Sequence, residues 1–451
     1  MVFRHIFLSG LVWLTSACSP ITHHYIHIEH YISRQDFLKA DAVVEKQAGR
    51  YGAKNALLYD MDRGMTLHLA GRYVESNKFL DLAEQRSEQL YTKNLTSEAG
   101  AMLINDNTLP YEGEDFEQVM INLIAALNYI HLGEIDEALV EVRKVDHKLT
   151  LLNDRYEKKN IYKEDAFARY LSGILYEAKG ESSDAWIDYR KAYEAYQDYQ
   201  KQYGTPIPRM LESDLLRMTD LLGQAQEHHE YLAQFGTIPW IRHKEHRRYG
   251  EIVLISYNGL SPVKEDYFIT APVPDGAGGV YILNIAMPRF IPRPTDVADA
   301  VVKVRGSETV GPQQTVLVED ITSIAIKNLE DRIGRITAKA IARATAKYMV
   351  SRTIREKANQ EDKPLPKILS DVGTNLYSLL FEQSDKRSWR TLPGEVQMAR
   401  LLVPPGTYQV DVQYMNRHGQ EIDRRAFSDI QIKAGEKKFL SSRMVGSIQS
   451  P

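Results

Sequence analysis

The side chains that could do chemistry in this sequence are a lone thiol, two small groups of histidines, a serine in a glycine-bearing turn and a stripe of cations. The thiol belongs to Cys18, the only cysteine in 451 residues. It closes the stretch Leu14-Thr15-Ser16-Ala17-Cys18, behind an apolar run from Ile6 to Leu14 and one basic residue, Arg4. A charged start, a short apolar core and a small-residue box make a secretory leader, residues 1–17, and a cysteine at its end is placed to take a lipid on its sulfur. The run is shorter than the ~20 apolar residues a spanning helix needs. The mature chain would then begin at Cys18 and hang from a membrane by acyl chains, each buried CH2 adding about 0.8 kcal/mol. An uncleaved N-terminus with a buried thiol is the alternative, and it leaves the single odd cysteine unexplained. Ser19 follows, not the Asp that by analogy retains such chains in the inner membrane, which points to the periplasmic face of the outer membrane.

The remaining candidates are weaker chemistry. Gly259-Leu260-Ser261-Pro262-Val263 begins like a nucleophile elbow, but Pro262 has no N–H to offer an oxyanion, so Ser261 is a poor nucleophile. Asp275-Gly276-Ala277-Gly278-Gly279 precedes a predicted strand, whereas a phosphate loop follows one, so it reads as a hairpin turn. His23, His24, His27 and His30 could offer two imidazoles to one metal ion, but beside an anchor they read as a polar, mobile tether. His243, Glu245 and His246 lack the HExxH spacing. No metal, cofactor or catalytic residue is expected. Arg335, Lys339, Arg343 and Lys347 recur every fourth residue as a stripe along one helix, either a solvated face or a contact for an anionic partner such as peptidoglycan.

Composition bounds the rest. Hydrophobic residues make up 43% and charged residues 26%, the balance of a globular chain long enough for more than one domain. Apart from Cys18 there is no thiol, so disulfides cannot hold it together. Residues 101–200 carry 20 Asp/Glu against 11 Lys/Arg, and residues 301–451 carry 17 against 24. The asymmetry reads as solvated helix faces that differ in sign, or as a basic half that faces an anionic partner or the chain's own acidic half. No zinc, helix-turn-helix or aromatic-basic pattern supports nucleic-acid binding.

Residues 57–235 show helical periodicity and an internal repeat. Gly64, Gly71, Ser76 and Ala83 recur as Ala126, Gly133, Ala138 and Val145, and as Gly173, Gly180, Ala185 and Ala192. These spacings are those of tetratricopeptide (TPR) helix pairs, in which small residues let two helices touch and a glycine makes the turn. The first helix of each pair lines a concave groove, whose inward positions are Met61, Met65, Met120, Leu123, Leu127, Phe167, Tyr170 and Ile174. That apolar surface either binds a protein partner or is filled by the chain itself. Residues 18–56 are assigned to the tether and a first helix. From residue 236 short Val/Ile/Tyr runs bounded by Pro and Gly read as strands, up to 318 and again over 384–451. Helices at about 319–358 and 367–383 are inserted between them. The fold class is therefore α+β: an N-terminal all-α TPR-like solenoid, then a β-sandwich-like module of about seven strands with an inserted long helix.

Several stretches carry a likeness: LYDMDRGMTL (58–67), DFEQVMINLIAALN (115–128), YKEDAFARYLSGILY (162–176), NGLSPVK (258–264) and RSWRTLPGEVQMARLLVPPG (387–406). Through them the chain resembles a family of TPR-containing outer-membrane lipoproteins of Gram-negative bacteria. The resemblance implies location and architecture, and it assigns no activity and no site residues. The repeat groove leads to the expectation of a non-enzymatic scaffold for protein–protein contacts in envelope assembly or export, and the basic stripe to the alternative of a module that binds peptidoglycan or another anionic polymer.

Overall fold

The computed structural model describes residues 22–97, 109–154, 161–274, 280–306, 310–360 and 384–447. The leader with Cys18, the Asp275–Gly279 turn and the helix expected at 367–383 lie outside them. The chain opens with α1 (Thr22–Ser33), α2 (Phe37–Lys46) and the short α3 (Ala48–Tyr51). Four antiparallel pairs follow: α4 (Ala56–Leu69) with α5 (Tyr73–Ser97), α6 (Asp115–Leu132) with α7 (Ile135–Asp154), α8 (Ala166–Lys179) with α9 (Ser182–Gln202), and α10 (Arg209–Leu221) with α11 (Ala225–Phe235). A short α12 (His243–His246) leads into the strands.

The repeat glycines do what their spacing requires. Gly71, Gly133, Gly180 and Gly223 all have φ between 69° and 83°, a region costly for side chains with a Cβ. At Gly133 the N–H groups of residues 133 and 134 reach back to the carbonyls of Ile130 and Tyr129, and the other three turns repeat these two bonds. Inside the pairs, a Cβ on Gly64 would lie 2.5 Å from Leu80, and one on Gly173 would lie 2.4 Å from Tyr189. The second and third pairs start with acidic caps. Glu114 and Glu117 form a capping box on α6, and Asp165 Oδ1 accepts from the Ala168 N–H at 2.7 Å on α8.

At the N-terminus the structure corrects the sequence reading. No mobile tether is present in the described part; α1 begins at Thr22 and buries Tyr25, Ile28 and Ile32, an i, i+3, i+7 stripe, against the following helices. Tyr25 and Tyr51 both donate to Asp62 Oδ2, at 2.6 and 2.7 Å.

The second half contains β1 (Gly250–Asn258), β2 (Val263–Pro274), β3 (Val280–Ile291), β4 (Val297–Arg305), β5 (Gln313–Gln314), β6 (Val316–Glu319), α13 (Ile321–Gln360), β7 (Glu395–Val403), β8 (Gly406–Asn416), β9 (Glu421–Ile432) and β10 (Lys437–Met444). One sheet has the order β10-β1-β7-β6, with β1 and β10 parallel; the other has the order β5-β4-β8-β9. They pack face to face through Ile252, Leu254, Val302, Leu401, Val410 and Val412, so the module is a sandwich with α13 inserted between β6 and β7. The β2–β3 hairpin forms a separate two-stranded sheet resting on α13, more strands than the seven expected.

Candidate functional site

The alternation of side chains along a strand decides what becomes of the repeat groove. On β1, Ile252 and Leu254 point into the sandwich, while Val253, Ile255 and Tyr257 point the other way and join the core of the helix pairs. Met398 of β7, Val318 of β6 and Phe439 of β10 do the same. The first sheet therefore lies in the concave side of the solenoid. All eight groove residues, Met61, Met65, Met120, Leu123, Leu127, Phe167, Tyr170 and Ile174, are at most 2% exposed. The reading of these residues as an open partner surface is thereby corrected, because an apolar sheet face of the same chain covers them.

Polar groups lock this seam. Arg400 on β7 holds Glu251 of β1 through Nε at 2.6 Å and Nη2 at 3.0 Å, donates to Tyr170 Oη at 2.7 Å, and pairs with Asp214 of α10. Arg217 grips Glu177 at 2.9–3.0 Å and Asp214 at 2.5 Å. Lys437 of β10 reaches Glu177 at 3.1 Å and also pairs with Glu251. Burial alone would push Glu251 and Glu177 up, but the neighbouring cations outweigh it and hold both well below the usual carboxylate range. Three cations thus neutralise three carboxylates, each 5% exposed or less, leaving no net charge to attract a ligand. A cavity of about 540 Å³ at the rim touches this cluster and His243 and His246. Burial pushes His246 down to about 3, so it is neutral at pH 7. Among the described residues no group of three or more side chains could hold a metal ion.

Elsewhere on the seam, His68 joins three elements. Its Nδ1 donates to Asn128 Oδ1 at 2.7 Å and its Nε2 accepts from Tyr257 Oη at 3.0 Å, a tautomer fixed because Asn128 Nδ2 is spent on Ser76 and Asn77. The segment before β7 is pinned likewise, with the Trp389 N–H donating to Glu117 Oε1 at 2.6 Å and Thr391 Oγ1 to Asp62 Oδ1 at 2.9 Å.

The other sequence candidates are dispersed. Arg335 and Lys339 are exposed on α13, but Arg343 is 2% exposed, so the four do not form one open stripe; the side chain of Lys347 lies outside the described residues. Ser261 is buried and donates to the Trp389 carbonyl at 2.9 Å, a structural use of its hydroxyl. His24 is buried, whereas His27 and His30 are exposed.

What the sequence did not single out is the first strand of the hairpin and its exposed face. The hairpin's odd-numbered face, with Tyr267, Ile269, Ala271, Ile285 and Met287, packs on Ile333, Ile336, Ala340 and Ile341 of α13, where the small alanine allows close approach. Near the base of the hairpin the even-numbered residues Ala286, Pro288 and Phe290 are buried, but toward its tip the even-numbered face is open: Phe268 is 71% exposed, Val280 68% and Ile282 65%. Pro272, Pro274 and Pro288 all occupy even positions of the ladder. Because proline has no N–H, it is tolerated where the nitrogen faces away from the partner strand, so these three blunt both outer edges. The alternation in Phe268-Ile269-Thr270-Ala271 was the available signal, masked by the prolines and charges around it.

No family model matches the chain, and no curated protein matches it. Solved structures similar to it include a putative kinesin light chain of Podosopora anserina with nearly identical TPR-like repeats, at 16% identity over 48% of this chain and 93% of that one, with a TM-score of 0.32. Another is BtubC (BKLC) from P. vanneervenii, at 13% identity over 49% and 84%, with a TM-score of 0.33. The Rap conjugation regulator of plasmid pLS20, in complex with a peptide, covers 54% of this chain and 61% of its own at 14% identity, with a TM-score of 0.30.

Proposed function

We propose that this chain is a lipid-anchored, non-enzymatic scaffold of the cell envelope that recruits a protein partner during envelope assembly or export. The observation that carries the reading is the open apolar face of the hairpin, Phe268, Val280 and Ile282, held out on a stiff support. Soluble surfaces scatter single apolar residues, whereas three on one strand-pair face mark a contact. Twelve-residue strands extend about 40 Å, and the 40-residue α13 about 60 Å, so the arm is long enough to reach beyond the body. The Cys18 box supports anchoring on the periplasmic side of the outer membrane. No described helix is long and apolar enough to cross a membrane.

The test is in-cell photocrosslinking with the reactive residue at Phe268 or Ile282, with Met65 and Tyr170 as buried controls. Adducts to one envelope protein from the hairpin positions alone are expected. Adducts from neither hairpin position, in cells where the chain is present and folded, would remove the scaffold reading.

A further inference from the structure

The terminal helix pair carries an asymmetry of charge that the rest of the fold explains only from one side. Between residues 22 and 50 every carboxylate is committed to a cation. Glu29 meets Arg293 at 2.7 Å and Arg390 at 2.8 Å, across the seam. Asp41 and Glu45 meet Arg63 at 2.8 and 3.2 Å, and Asp36 meets Lys39 at 2.5 Å. Arg34, Lys46 and Arg50 are exposed and have no ion-pair partner among the described residues. The outward side of the pair is therefore net positive. It is also studded with large apolar side chains, Ile26 at 62% exposure and Leu38 at 57%. Exposed cations beside exposed aliphatic groups make a surface that suits an anionic headgroup layer with hydrocarbon beneath it.

Chain length supplies the second argument. Only Ser19, Pro20 and Ile21 separate Cys18 from the start of α1. At full extension such a link spans at most about 14 Å. An acyl-bearing Cys18 could not hold the body away from the bilayer, and the element nearest the anchor is α1.

We infer that the outward side of residues 22–51, through Ile26 on α1, Arg34 in the turn after it, Leu38 and Lys46 on α2 and Arg50 on α3, docks on an anionic lipid surface and fixes the orientation of the molecule on its membrane. This rests on the anchored reading above, and the experiment separates the two. The full chain with Cys18→Ser has no other thiol, so single labels are unambiguous. It is floated with phosphatidylcholine vesicles that contain or lack phosphatidylglycerol. Co-flotation only with the anionic vesicles, weakened by salt, is expected. Combined reversal of Arg34, Lys46 and Arg50 to Glu should weaken it on the order of 100-fold, with the thermal midpoint checked for an intact fold. An environment-sensitive dye at Ile26→Cys or Leu38→Cys should shift to apolar emission on the vesicles, while one at Val140→Cys on α7 should not. Equal flotation with neutral vesicles, no effect of charge reversal, or dyes at 26 and 38 that stay in water would each overturn the docking face. The mass of the Cys18 peptide from native membranes tests the anchor separately, because an unmodified thiol removes the anchor and leaves the vesicle result standing.

Discussion

His68 is held neutral at pH 7 because burial pushes its imidazole down to about 4, against the hydrogen bond to Asn128 that favours the charged form. For a base with a lowered folded-state value, the stability it contributes is complete above its ordinary value near 6.5 and is lost as pH falls toward 4. The upper limit of that loss is about 3 kcal/mol. A His68→Gln variant can keep a donor to Asn128 and an acceptor for Tyr257 but cannot take up a proton. Its unfolding free energy, measured by urea titration at several pH values, should fall less steeply from pH 6.5 to 4 than that of the parent. Identical slopes would assign the acid sensitivity to other groups. Glu117 acts in the opposite sense. Burial and the neighbouring Glu114 carboxylate raise it to about 7, so its contribution is present below its ordinary 4.5 and is lost as pH rises toward 7. Glu114 itself is pushed up by burial, but Lys264 and Arg332 overcome that and hold it at about 2. A capping box thus keeps one member charged and the other poised to take up a proton.

Among the elements, the hairpin shows how a strand pair survives with a free face and free edges. Pro272→Thr together with Pro274→Thr would restore outward N–H groups on β2 and leave the α13 contact intact. The variant should self-associate in light scattering at concentrations where the parent is monodisperse; unchanged mass would mean that the prolines do not guard this edge. The same strands mark the limit of what the sequence reveals. The helix pairs were legible because Gly71, Gly133 and Gly180 punctuate a fixed spacing and Gly64 and Gly173 sit at helix contacts. β2 was hidden by prolines tolerated only at outward positions, a fact visible once the register is known. β7 was hidden because Met398, Ala399, Leu401 and Leu402 also suit a helix. The groove residues are buried, and periodicity cannot say which distant segment covers them. Arg343 failed as part of an open stripe for the same reason: fourfold spacing fixes a side of the helix and leaves its neighbours unspecified.

For the whole molecule, the shared core means that the two halves are not independent units. Residues 22–241 expressed alone would expose the eight groove side chains and leave Asp214, Glu177 and Arg217 without Arg400 and Lys437. That fragment should bind a hydrophobic dye and lack a cooperative thermal transition, whereas the full chain should melt in one step; a sharp transition in the fragment would show that the sheet is dispensable to the solenoid. The pairing of β1 with β10 also has a consequence in time. Glu251 sits beside Lys437 and Asn258 beside Met444, so the central strand of the first sheet has to await a segment 186 residues further along the chain. Contacts so far apart in sequence form slowly, and until they do one hydrogen-bonding edge of β1 stays open. A chain threaded across a membrane from its N-terminus would arrive with its repeats formed and this edge still open, which makes the interval before β10 emerges the stage at which it most needs a chaperone.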